Sequence, residues 1–404
     1  MPAPKILFVH TNFPAQFGFL GQRLAAAGWE TAFATARANT RSEVFRILPF
    51  EEGRGITRGI HPYLGSTERA VIKGQMAARA FYAARKGGYR PDIVMAHSGW
   101  GAGLFAKDVW PDAVFIPYLE WWYNYPPVDS GFLGDFRDDE DNRLRQRVRN
   151  TPLMTDIVTA DAALAPTRFQ AGQFPEKLRR DITVIHDGVD TETHAPAPER
   201  PAAIGALDIS AMPEIVTYAT RGMEPQRGFP EFMRALEILQ ARRPRLHAII
   251  VGEDRVAYGR RLPEGDSWKK RMLAECRLDP ARTHFTGHLP RPDYLAVLQA
   301  SDAHVYLTVP FVLSWSMLEA MSAGCALVAA DVAPVREFVG DGETGRLVPF
   351  HEPAGIAAGV EEMLDDRALA RRLGVAARAH IREAYDLERV FAEKKAWLEG
   401  LIGA

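Results

Sequence analysis

Short, almost purely apolar runs alternate along this chain with longer segments whose apolar positions recur every three or four residues. Ile6-Leu7-Phe8-Val9-His10 is the first such run, the pattern of a strand buried on both faces. Pro14 to Ala27 follows with Phe17, Leu20 and Leu24 at helical spacing, Pro14 suited to the first helical position and Gly28 to the stop. Glu30 to Ala36 reads as the next strand, so the chain opens as strand, helix, strand, which predicts a parallel sheet with helices on both faces. Further strands are predicted at Asp92–His97, Ala113–Pro117, Ala162–Ala165 and Ile182–Ile185. Thr193 to Pro213 is rich in alanine and proline, including Pro196, Pro198 and Pro201, and reads as an interdomain linker. The rhythm then restarts. Ile215–Tyr218, His247–Val251, Ala303–Leu307 and Ala326–Ala329 read as strands, and Phe229–Arg242, Ser316–Ala323, Pro353–Tyr385 and Leu387–Ile402 as helical. The fold class expected is α/β, with two Rossmann-like, doubly wound domains in succession: residues 1–195, and residues 208–385.

Size supports that division, because 404 residues exceed one ordinary core. Composition changes the picture little: 47% hydrophobic and 25% charged residues are usual for a soluble globular chain. A formal net charge of -2 offers no global attraction for nucleic acid, and no nucleic-acid partner is expected. With only Cys276 and Cys325, neither a disulfide framework nor a cysteine-rich metal site can form, which fits a reducing compartment. The start Met1-Pro2-Ala3-Pro4-Lys5 lacks the pattern of a signal peptide, and no apolar run reaches the length of a membrane span, so a cytoplasmic location is expected.

Ligands of open α/β sheets bind beyond the carboxyl ends of the strands, near helix N-termini. Arg221 follows the strand that begins at Ile215, and Arg227 stands just before Gly228 and a helix. Two guanidiniums there suit a diphosphate and the charge that grows on a departing nucleoside diphosphate, against the simpler reading of two solvated loop arginines. In Phe311 to Met321 a loop enters a helix, where the backbone amides of Ser314, Trp315 and Ser316 suit phosphate or sugar oxygens. Glu319, read in the first turn of that helix, suits ribose hydroxyls, or merely compensates the helix dipole. His97 ends a strand before Ser98-Gly99-Trp100-Gly101, where small residues let a ligand approach; a hydrogen-bonded core histidine is the plainer alternative. The turn Thr11-Asn12-Phe13-Pro14-Ala15-Gln16 lacks the dinucleotide glycine pattern, but its amides, with Asn12, Phe13 and Gln16, suit an acceptor-side loop. Asp138-Asp139-Glu140-Asp141 reads better as solvated surface than as a metal site. Arg54 to Arg90 is strongly basic, with Val71, Ile72, Met76, Phe81 and Tyr82 interleaved, and reads either as a surface helix meeting anionic lipid or as an ordinary amphipathic helix on its sheet.

Together these segments resemble the retaining family-4 glycosyltransferases, relatives of glycogen and sucrose synthases. The resemblance lies in Thr220-Arg221-Gly222 through Arg227-Gly228, Gly252-Glu253-Asp254, His284 to Leu289, Leu318-Glu319-Ala320-Met321-Ser322-Ala323-Gly324 and Asp341 to Val348. Asp187-Gly188-Val189-Asp190 and the Asp92–His97 strand carry it into the first half. It implies two domains facing a cleft, with a final helix, 386–404, returning to the first domain. It implies metal-independent, retaining transfer from a UDP- or GDP-sugar to a hydroxyl of a glycan, glycolipid or similar acceptor, with no cofactor. By the same resemblance Arg221 and Arg227 hold the diphosphate, Glu319 the ribose and His97 the donor sugar, with Gly252, Glu253, His288 and Leu289 around the nucleotide. The chain departs from that family where Phe311 replaces a sugar-contacting glutamate, Arg227 replaces a lysine, and Pro14-Ala15-Gln16 replaces glycines. A non-catalytic nucleotide-sugar-binding protein and an epimerase or phosphorylase on the same plan are the alternatives.

Overall fold

A strand whose successive residues are all apolar must be covered on both sides, and the computed structural model, which describes residues 2–37, 39–134 and 136–403, shows how. The chain forms two compact units. Unit 1 holds the residues up to Pro127, Arg137–Asp187 and the end of the chain from Glu388. Its strands are β1 (Lys5–Val9), β2 (Glu30–Thr35), β3 (Arg46–Pro49), β4 (Ile93–His97), β5 (Val114–Tyr118), β6 (Ala163–Ala165) and β7 (Ile182–Val184). They make one seven-stranded sheet in the order β3-β2-β1-β4-β5-β6-β7, with parallel pairing throughout. Leu7 and Val9 face the core beneath helix Gly65–Lys86, which contributes Ala77, Ala78, Phe81 and Ala84. Ile6 and Phe8 face the other core, filled by Leu20 and Leu24 of helix Gly18–Ala26 and by Val390 and Leu398 of helix Leu387–Ile402.

Unit 2 comprises Val128–Phe136 and Gly188–Leu387. A small antiparallel ribbon, β8 (Ala203–Ile204) with β9 (Leu207–Asp208), precedes its sheet. That sheet contains β10 (Glu214–Gly222), β11 (Leu246–Glu253), β12 (Thr283–Gly287), β13 (Ala303–Tyr306), β14 (Leu327–Ala330) and β15 (Arg346–Val348), in the order β12-β11-β10-β13-β14-β15. Val216 and Tyr218 pack on Phe229, Phe232 and Leu236 of helix Phe229–Arg242, while Ile215 and Ala219 meet Val297 of helix Arg291–Ala300. The proline-rich stretch read as a linker is folded into this unit. Its Ile204, Ile209 and Met212 are buried in the same core as Ile215, and His194 is buried with its carbonyl accepting from Ser322 Oγ at 2.8 Å.

Each strand order reverses where the first strand of its sheet meets the fourth: at β1/β4 in unit 1 and at β10/β13 in unit 2. Flanking connections leave such a point in opposite directions and open a crevice at the carboxyl ends. The first helix begins at Gly18, later than the sequence pattern suggests. Ala15 has φ 47°, in the left-handed region, and Ala15–Phe17 is a separate 3-10 turn.

The last helix is tied to unit 1 by charge as well as by packing. Lys394 Nζ lies 3.1 Å from Asp187, and both side chains are buried. The Tyr118 hydroxyl lies 2.9 Å from each carboxylate oxygen of Asp187. Burial alone would raise the Asp187 pKa, but Lys394, His186 and these hydrogen bonds outweigh it and hold the carboxyl below its ordinary value. Lys394→Ala, which leaves that carboxylate without its lysine, should lower the unfolding free energy by about 3 kcal/mol in urea titrations at pH 7. The contribution is in place above the ordinary carboxylate pKa of about 4 and is lost as pH falls through the lower folded-state value, so the two proteins should converge in acid.

Candidate functional site

Arginine is seldom buried without an anion, and Arg227 is buried. It closes the 3-10 turn Pro225–Arg227, where Gly228 takes φ 64° and so lets the chain turn into helix Phe229–Arg242. One terminal nitrogen of its guanidinium donates to Thr308 Oγ1 at 2.7 Å and the other to the Val312 carbonyl at 3.0 Å. The Tyr258 ring covers it, 4.9 Å from the guanidinium carbon, and meets Phe311 edge-on at 5.6 Å. Among the described residues Arg227 has no ion pair with a carboxylate. The loop carrying Tyr258 is pinned from below. Glu224, fully buried, accepts the backbone N–H groups of Ala257 at 3.1 Å, Tyr258 at 3.0 Å and Gly259 at 2.8 Å. Glu224, Tyr258 and Thr308 went unmarked in the sequence, although Thr308 follows a predicted strand and all three lie near such ends.

Arg221 belongs to the end of β10 rather than to the loop beyond it. The register with β11 shifts between Ala219 and Gly222, a bulge that re-aims side chains, and Arg221 is exposed there. A Cβ on Gly252 would stand 2.3 Å from the Thr220 carbonyl, so Gly252 (φ 141°) is the glycine that lets β11 run close to this bulge. Glu253 is exposed and pairs with Arg255 at 2.5 Å. Its carboxyl is held below the usual range by that hydrogen bond and charge, with smaller help from His288 and Arg221. His288 is exposed, while Leu289 packs on the β10 side of the core.

The loop before helix Trp315–Ser322 departs from expectation in two ways. The Ser314 N–H donates to the Tyr306 hydroxyl at 2.9 Å, and the Ser316 N–H points to Ser314 Oγ at 3.4 Å, since Ser314 caps the helix. Two of the amides expected to meet an anion are thus engaged within the protein; Trp315 is exposed. Glu319 lies past the first turn, so the dipole reading loses its basis. Its carboxylate sits 3.6 Å from His194 Nε2, which is buried, and 3.6 Å from Arg291. Tyr294 is a further neighbour: burial, then the Glu319 charge, raises its hydroxyl well above the ordinary value.

In unit 1 the ends of β1, β4 and β5 gather His10, His97 and Glu120. His97 is buried, and its Nε2 lies 3.0 Å from Glu120 Oε2. Gln16 Nε2 donates to the other oxygen of Glu120 at 3.3 Å. The Asn12 N–H donates to His10 Nδ1 at 2.7 Å, and the rings of His10 and His97 meet edge-on at 4.8 Å. Burial, then the nearness of His97 and Lys73, lowers His10 to about 3, so it stays neutral. Phe13 packs against Phe33 and Phe45 instead of facing solvent, at 4.9 and 5.7 Å between ring centroids. The expected residues His97, Gln16 and Asn12 are therefore brought together, and Glu120 and His10 complete the group; both follow apolar runs and were open to the same strand-end rule. The acidic run at 138–141 is used locally: Asp138 and Asp141 accept from Tyr125 and Tyr63, and Asp139 caps helix Glu140–Arg149. Among the described residues no three His, Cys, Asp or Glu side chains gather as a metal site, and no helix is long and apolar enough to cross a membrane.

Behind His97, Ser98 Oγ donates to Asp156 Oδ2 at 2.6 Å. Burial raises Asp156 to about 6 from 3.8 against the opposing pull of Ser98 and Gly99. A carboxyl whose folded pKa is raised loses stability as pH climbs from its unfolded to its folded value. Asp156→Asn keeps the acceptor for Ser98 and removes that cost. Chemical denaturation should find the variant level with the wild type near pH 4 and more stable above about pH 6.

Comparison with known proteins bears on the family and the fold. Residues 27–194 match the model described as glycosyl transferase family 4 group, and residues 200–380 match glycosyl transferases group 1. A D-inositol 3-phosphate glycosyltransferase from Streptomyces scabiei is 26% identical over 377 residues, covering 89% of this chain and 80% of that one. Among solved structures, sucrose-phosphate synthase from Thermosynechococcus elongatus superposes with a TM-score of 0.75 at 20% identity, covering 99% of each chain. Anabaena HepE, solved in complex with UDP and glucose, gives 0.73 at 16% identity, covering 98% of this chain and 100% of that one. At those identities the likeness shows the fold, two Rossmann-like domains of the GT-B type. With both halves matched, the chain belongs to the group 1, family-4 glycosyltransferases and is a glycosyl-transferring enzyme.

Proposed function

We propose that unit 2 binds a nucleoside-diphosphate sugar, with uridine as the base, and that the sugar passes with retention of configuration to a hydroxyl acceptor held by unit 1. The observation that carries this is Arg227: a buried guanidinium whose described partners are neutral, at the sheet's reversal point. A guanidinium keeps three further N–H donors after these bonds, enough for a diphosphate that enters beneath Tyr258. Arg221, exposed at the bulge, adds a second positive charge. Built-in cations stabilise the leaving diphosphate, so the proposed transfer needs no metal or cofactor. Glu319, between His194 and Arg291, takes the ribose hydroxyls, and His97 contacts the sugar. The UDP in the HepE structure, and the glycosyltransferase name of the Streptomyces relative, support the donor class. Glycan or glycolipid synthesis is the pathway class this reading favours.

Helix Gly65–Lys86 also exposes Arg69, Arg79, Val71 and Tyr82 while burying its other face on the sheet, and we propose peripheral contact with anionic lipid through that outer face. Co-sedimentation with vesicles containing phosphatidylserine tests it; protein left wholly in the supernatant counts against it.

The donor reading predicts turnover of UDP-glucose, followed by UDP release, that persists in excess EDTA and falls at least about a hundredfold in Arg227→Ala, the scale of one lost charge contact to an oxyanion. Undiminished turnover in the variant overturns the assignment. Glu319→Ala should weaken UDP binding about tenfold, or about 1.4 kcal/mol, in calorimetry. UDP at about a hundred times its dissociation constant should stabilise the native chain by about 2.7 kcal/mol.

A further inference from the structure

The end of β5 is built more firmly than a surface loop requires. Leu119 is fully buried and its N–H donates to the Leu164 carbonyl at 2.7 Å. The carbonyl of Glu120 accepts from Gln170 Nε2 at 2.9 Å, and Gln170 is itself buried and bonded to Thr167. The Glu120 main chain is thereby fixed, and its carboxylate is fixed again by His97 and Gln16. Those two donors fill two of the roughly four acceptor positions of a carboxylate. The side chain remains 32% exposed, so the other positions face outward.

Across the end of β4, Trp100 is 55% exposed, with its ring 6.1 Å from that of His97. It is not on a loose loop. Gly99 and Gly101 flank it at φ 87° and 92°, and a Cβ on Gly101 would stand 2.1 Å from the Ala70 carbonyl, so the turn is pressed onto helix Gly65–Lys86. Lys73 Nζ lies 5.7 Å from the centroid of the indole ring, and more than half of the residue still meets solvent. A rigid exposed indole and a half-open carboxylate, each close to His97, fit a ligand with one apolar face and a rim of hydroxyls.

We propose that Trp100 and Glu120 form the acceptor-ring subsite: a pyranose stacks its C–H face on Trp100 and donates a hydroxyl to Glu120, which His97 and Gln16 hold in place. The acceptor class is then a sugar, or a sugar-bearing molecule, with an unmodified hydroxyl facing Glu120. This rests on the reading that unit 1 takes the acceptor. It is tested on the full chain with saturating UDP, using methyl α-D-glucopyranoside and methyl α-D-mannopyranoside as probes in saturation-transfer NMR. At least one probe should show transfer to its ring protons. Glu120→Gln and Trp100→Ala should each weaken its binding about tenfold or more, the loss of one charge-assisted hydrogen bond or one stacking face. UDP affinity in calorimetry should stay the same in both variants. Trp100 is on the surface, so its replacement keeps the test open if Glu120→Gln fails to fold. Undiminished probe binding in the folded variants, or none of either probe to the wild type while UDP binds, overturns the proposal. Failure of UDP to bind removes the donor reading of unit 2 instead, and the probe comparison still decides the subsite.

Discussion

A guanidinium taken out of water loses several kcal/mol of hydration unless something replaces it, and unit 2 is organised around that demand at Arg227. Thr308 and the Val312 carbonyl accept two of its hydrogen bonds, and the Tyr258 ring covers its face. These partners need support of their own. Tyr258 is held because Glu224 spends its charge on three backbone amides of the same loop. Val312 is placed because the Ser314 N–H bonds Tyr306, a core residue at the end of β13. The turn that presents the arginine exists because Gly228 accepts a left-handed φ of 64°. The hydrogen-bond partners of Arg227 are neutral, and the Glu224 charge acts on it without forming an ion pair.

Unit 1 solves the opposite problem. At the matching reversal of its sheet the conspicuous charge is a carboxylate, Glu120, beside an imidazole. His10 is kept neutral by burial, next to its counterpart His97. Under the proposed function, the guanidinium end serves the anionic donor and the carboxylate end a hydroxyl acceptor.

Much of this was legible in the chain, but unevenly. Buried parallel strands announce themselves because both faces are apolar, as in Ile6 to Val9 and Ala248 to Val251. Helix Glu140–Arg149 escaped notice because it buries no residue at all and so carries no apolar stripe. β3 is an edge strand of only four residues ending in Pro49, and a run that short does not separate strand from loop. The linker reading failed because prolines mark an extended backbone without saying whether it is free, and Ile204, Ile209 and Met212 dock that backbone in a core. Gly252, which the family resemblance places near the nucleotide, also answers a demand from the carbonyl of Thr220, on another strand.

The sequence alone determined the two successive α/β patterns and the residue types standing at the strand ends, since hydrophobic period and turn chemistry act over a few neighbours. It could not decide which of those polar groups remain available. The amide of Ser314 is taken by Tyr306, the guanidinium of Arg227 reaches Thr308 across 81 positions, and Glu120 meets Gln16 across 104. Hydrogen-bond valence is exhausted by whichever partner folding delivers, and only the tertiary structure delivers it.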